Sequence, residues 1–105
     1  MLNEENKELC QKVLGKYGMK SQLMMVMEEC AELVQAISKL FRYEKTSACE
    51  QYERANFAFV LELVDVIVMC QQMVLALGYD MDLINELAKP KLEKALKGSD
   101  GNAVN

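Results

Sequence analysis

Between Asn56 and Met73 the chain reads NFAFVLELVDVIVMCQQM, apolar on almost every side, with two acids, Glu62 and Asp65, in its most hydrophobic part. Such a stretch lacks the strict alternation of a half-buried strand and reads as a helix buried on most of its sides. Taking an ionised carboxylate out of water costs several kcal/mol unless it is paired, protonated or bound to a metal. Two of them at i and i+3 on one face also repel each other. No Lys or Arg occurs from Ala55 to Ala88 to compensate them.

The preceding helix repeats the anomaly. Glu28, Glu29 and Glu32 stand between Met27 and Leu33, and no Lys or Arg occurs from Ser21 to Ser38. Acids on a helix ordinarily form a solvated face, an account that fits poorly two acidic pairs on apolar helices without a local cation. Helices joined by a short connection pack as antiparallel neighbours. From the midpoint of Glu29 and Glu32 to the end of its helix is about twelve residues, and from the start of the next helix to the midpoint of Glu62 and Asp65 about fifteen. At about 1.5 Å per residue the pairs lie within roughly one turn of the same level. Facing one another, they form a cluster of four carboxylates, and oxygen-only ligation selects a hard cation such as Mg²⁺ or Mn²⁺. Ala55, Ala58 and Ala76 share the stripe of Glu62 and Asp65 and leave room for a metal-bound ligand. Glu28 is offset on its helix and can simply face solvent.

Helical signals cover nearly all of the 105 residues, so the expected class is all-α. The spacing predicts one domain over 1–97, made of four helical segments, and a frayed tail over 98–105. A first helix runs from Glu4 to Tyr17 and stops at Gly18. Ser21 is expected to cap a second, reaching Arg42, with a short connection from Tyr43 to Thr46. Ser47-Ala48-Cys49-Glu50 has the form of a capping box and starts the third helix, which Gly78 stops after Leu77. Asp80 or Asp82 caps a fourth segment, which Pro90 is expected to kink or restart.

Composition narrows the chemistry. The sequence has no histidine, which removes the commonest imidazole base, the Ser-His and Cys-His pairs and most zinc sites. A net charge of -4 argues against a non-specific binder of nucleic-acid polymers. No run reaches the roughly 18 uninterrupted apolar residues of a membrane span, and the first helix is too polar for a signal peptide. The expected setting is cytoplasmic, with Cys10, Cys30, Cys49 and Cys70 reduced and mostly buried. The apolar third helix, together with Met24, Met25 and Met27, exceeds what a monomer of this size can cover, so a homo-oligomer is expected.

Glu28-Glu29-Cys30-Ala31-Glu32 and Glu62-Leu63-Val64-Asp65 resemble the E-E-x-x-E and E-x-x-D motifs of the MazG-like all-α nucleoside triphosphate pyrophosphohydrolases, over about residues 20 to 75. The resemblance implies a four-helix MazG-like bundle completed as a dimer or dimer of dimers. It also implies cleavage of a nucleoside triphosphate between the α and β phosphates, giving a monophosphate and pyrophosphate. Under it Glu29, Glu32, Glu62 and Asp65 are Mg²⁺ ligands, Mn²⁺ being a possible substitute. Glu28 or Glu29 orients or deprotonates the attacking water. Lys39 and Arg42, and Lys91, Lys94 and Lys97, occupy places where the family contacts phosphates, although each can equally be a solubilising charge at a helix end.

Leu61, Val64 and Ala95 depart from the family pattern and leave the substrate open. Phe41, Tyr43, Phe57 and Phe59 offer ring faces for a base or for packing. Two alternatives stand beside this reading: a phosphoribosyl-ATP pyrophosphohydrolase, and a non-catalytic helical module with a structural cation site. A di-iron bundle of the Glu-x-x-His kind fails for want of histidine.

Overall fold

A computed structural model describes residues 1–44 and 49–98, which form four α-helices and no strand. Helix α1 spans Glu4–Tyr17, α2 Met19–Glu44, α3 Cys49–Ala76 and α4 Met81–Lys97. The expected all-α class stands.

Local chemistry accounts for most of the boundaries. Asn3 caps α1, its side-chain oxygen accepting from the backbone N–H of Asn6 at 2.9 Å, with Glu4 and Glu5 complementing the positive end of the helix. Gly18, at φ 85°, ends α1 and donates to the Leu14 carbonyl at 2.8 Å. The second helix begins at Met19 rather than behind a Ser21 cap. One glycine in the left-handed region turns the chain in a single residue, and its carbonyl at once accepts from Gln22 N–H at 3.1 Å. At the other end α2 continues past Arg42 to Glu44. The capping box around Ser47 and the tail from Ser99 lie outside the described residues.

Helix α3 closes on Gly78 at φ 77°, where the N–H groups of Gly78 and Tyr79 bond to the carbonyls of Leu75 and Val74. That pair of bonds is the left-handed glycine termination expected there. Asp80 caps α4 by accepting from Leu83 N–H at 3.0 Å. Pro90 does not restart this helix, which is assigned without a break to Lys97. Glu86 and Pro90 are both exposed, so water can satisfy the carbonyl that the missing proline N–H leaves free.

Helices α2 and α3 form the main interface, α1 lies against both, and α4 meets none of them among the described residues. The pairing of α2 with α3 is antiparallel: Gln22 and Gln72 border one groove, Glu32 and Glu62 another, and Tyr43 and Gln51 a third. Ala36 and Ala55, both buried, let the two backbones approach closely, and Cys10 and Met69 complete the small apolar core.

The expectation that α3 is covered on most sides does not hold for the single chain. Phe57 is 63% exposed, Leu61 50% and Val64 47%, because one neighbouring helix and the short α1 cannot enclose a cylinder apolar all round. The stretch Glu50–Ala76 also has the length and composition of a membrane span, a property that soluble core helices share. The cysteines depart from expectation too: Cys10 is buried, but Cys30 and Cys70 are exposed, all three as free thiols.

Candidate metal centre

Helical spacing places Glu29 and Glu32 on one face of α2, and Glu62 and Asp65 on one face of α3. The antiparallel packing turns these faces toward each other. One carboxylate oxygen from each of the four residues lies within 4.8 Å of the other three. Glu29 and Glu62 are half-buried, while Glu32 and Asp65 are exposed at the mouth.

No ion pair neutralises the cluster among the described residues. Among the described residues the ion pairs are Lys7 with Glu4 and Arg54 with Glu50, both away from it. Oε2 of Glu29 and Oε2 of Glu62 are buried without a hydrogen-bond donor. Such atoms are rare in folded proteins, because an unsatisfied buried acceptor forfeits its hydration without return. Loss of solvent, then repulsion from Glu32, Asp65 and Glu62, together with a hydrogen bond shared with Glu32, pushes the Glu29 carboxyl up to about 7. Loss of solvent and the neighbouring Glu32 and Asp65 raise Glu62 as well.

This donor set fits a divalent cation that prefers oxygen. Ligand oxygens about 2.1 Å from such an ion lie up to about 4.2 Å apart across it. The four oxygens, all within 4.8 Å of one another, lie close to that spacing. The two orphaned oxygens would then be satisfied and the mutual repulsion removed.

Both raised carboxyls destabilise the metal-free fold when ionised. Between the ordinary carboxylate value of 4.5 and about 7, folded Glu29 holds a proton that the unfolded chain has released. Stability from this source is therefore full below 4.5 and lost as the pH rises through 7. Melted in EDTA, the protein is expected to be more stable at about pH 5 than at about pH 8 by a few degrees. The difference should shrink in Glu29→Gln. A wild-type melting temperature that rises with pH over this interval would mean the carboxylates are compensated.

A groove of about 310 Å³ opens directly on the cluster, lined by Glu32, Gln35, Ala36, Lys39, Ala58 and Glu62. Lys39 and Ala58 line this groove, Ala55 is buried beside them, and Ala76 sits exposed at the far end of α3. Glu28 is exposed, one position before Glu29, and is not one of the four converging acids. Arg42 is exposed and lines neither this groove nor the one that adjoins it. Lys91, Lys94 and Lys97 lie on α4, away from the cluster in the single chain.

Of the aromatics, Tyr43 borders the adjoining groove, whereas Phe41 and Phe57 are exposed and Phe59 is half-buried. Arg54, which no motif singled out, lines that same adjoining groove. Its signal was available: it is the last cation before the apolar run of α3. Comparison with models of protein families, with curated proteins and with solved structures finds no match.

Proposed function

We propose that the protein is a nucleotide pyrophosphohydrolase of the MazG-like kind, dependent on Mg²⁺ or Mn²⁺. It would cleave a nucleoside triphosphate between the α and β phosphates. The observation that carries this reading is the convergence of four carboxylates from two antiparallel helices, two of them with buried unpartnered oxygens, at the floor of an open groove bordered by Lys39. Acids in that arrangement, with no imidazole or thiolate among them, suit a hard cation, and a groove with a lysine on its edge suits a polyanion.

A bound divalent cation supplies charge neutralisation and water activation there. The work of the chain's own residues follows from their placement. Glu29, Glu32, Glu62 and Asp65 hold the ion. Glu29 has two carboxylate oxygens, so one can stay on the ion while the other takes a proton from the water. Glu28, exposed one position before it, is the candidate to orient an incoming water. Ala36 and Ala58 keep the groove wide, and Lys39 draws the polyphosphate into it.

The same reading includes a homo-oligomer. In the single chain Phe57, Leu61 and Val64 of α3 are 63%, 50% and 47% exposed, an apolar face for a partner copy to cover. A standard interface takes about 800 Å² from each partner. Light scattering at micromolar concentration is expected to give at least twice the 11.9 kDa chain mass. An active species at the monomer mass would refute it.

The function is tested by incubating the purified protein with a panel of canonical and modified nucleotides and identifying the products. The expected result is turnover of at least one to its monophosphate and pyrophosphate. Metal binding without turnover of any nucleotide would instead favour a helical module with a structural cation, and selective turnover of phosphoribosyl-ATP would favour the biosynthetic enzyme.

A further inference from the structure

The acidic cluster occupies one end of a longer cleft. Toward the connection between α2 and α3, the groove beside Glu32 and Glu62 adjoins a second of about 320 Å³, lined by Lys39, Tyr43, Gln51, Arg54, Ala55 and Ala58. Lys39 and Ala58 border both, so the two share a wall. Lys39 follows Glu32 by about two turns of α2, and Arg54 precedes Glu62 by about two turns of α3, which at 1.5 Å per residue sets the cations roughly 11 Å from the acids. The cleft is negative at one end and positive at the other.

We propose that the second groove seats the β and γ phosphates of the substrate, the pyrophosphate that leaves, with Lys39 and Arg54 as its ligands. The inference rests on the pyrophosphohydrolase reading and adds the direction in which the nucleotide lies. Charge balance requires such a place: four carboxylates and a triphosphate together exceed what one or two divalent cations neutralise, so the far phosphates need protein cations. Lys39 makes no ion pair among the described residues. Arg54 gives one nitrogen, Nη2, to Glu50 at 2.6 Å, and both side chains are exposed, so that pair is weak and exchangeable. The remaining guanidinium donors are free to fork onto phosphate oxygens. With the pyrophosphate held here and the α phosphate at the acids, the nucleoside points the other way along the seam, toward Gln22 and Gln72.

The test uses the full chain, with Mn²⁺ alone, pyrophosphate with Mn²⁺, and a nucleoside monophosphate with Mn²⁺ as separate calorimetric titrants. Arg54→Gln is expected to weaken pyrophosphate binding about tenfold, one charge-assisted contact, while Mn²⁺ and monophosphate affinities stay at the wild-type level. Arg54→Lys should recover part of the loss. Lys39→Gln should reproduce the loss independently. If wild-type protein binds pyrophosphate and turns over nucleotide but both Gln variants bind pyrophosphate equally well, the orientation is wrong and the function stands. A loss of monophosphate affinity matching that of pyrophosphate would also overturn the orientation. A wild-type protein that binds Mn²⁺ yet neither binds pyrophosphate nor turns over any nucleotide would remove the functional reading and this inference with it.

Discussion

Glu62→Gln, or Asp65→Asn, is expected to lower nucleotide turnover by at least about a hundredfold while the helical fold persists and, in EDTA, melts at a higher temperature than the wild type. The two halves have one cause. In the metal-free protein Glu62 carries a buried oxygen without a donor and lies against Glu32 and Asp65, which disfavour its charge. Removing that charge relieves repulsion at almost constant volume. On the proposed reading the same carboxylate is a ligand once metal and substrate are bound, and losses of about 10–100-fold already follow from altering groups that merely support a ligand. Circular dichroism melts and steady-state rates on the same preparations check both halves. Near-normal activity in either variant would remove that residue from the centre, and a collapse of the fold would mean that the carboxylate is structural.

The second large effect is on the metal itself. Dialysis against EDTA should eliminate turnover, and Mg²⁺ or Mn²⁺ should restore it, because four carboxylates without a cation repel a polyphosphate. Metal addition should also raise the melting temperature, increasingly so at higher pH, where Glu29 and Glu62 are ionised in the free protein. Pyrophosphate is the expected first product. Orthophosphate as the primary product would contradict the cleavage position, and activity indifferent to EDTA would contradict the metal role.

Much of this was legible in the linear chain because the relevant forces are local. Helix periods, the Asp80 cap and the stops at Gly18 and Gly78 depend on residues within a turn of one another. The acids of the centre were legible for a related reason: a charge inside an apolar run is costly wherever the run goes, so Glu62 and Asp65 stood out before any partner was known. Their meeting with Glu29 and Glu32 followed from counting residues about the short connection.

The rest depended on contacts between segments distant in sequence. Gln22, Gln71 and Gln72 are buried at 5%, 1% and 2% exposure, which no local pattern announces. Gln71 accepts from the backbone N–H of Leu2 at 3.3 Å, a pairing across 69 residues. The start of α2 was misplaced because Ser21 is a fitting cap in isolation, whereas the positive φ of Gly18 had already turned the chain. Arg54 belongs beside Lys39 only because antiparallel packing brings the beginning of α3 against the end of α2. Residue types and their spacing thus determined that this chain is helical and that four of its acids converge without a local cation partner. Which neutral amides are buried, which cations border the cleft, and how much of α3 a single chain leaves bare were decided by packing, since burial is a property of what lies across from a residue and not of what lies next to it.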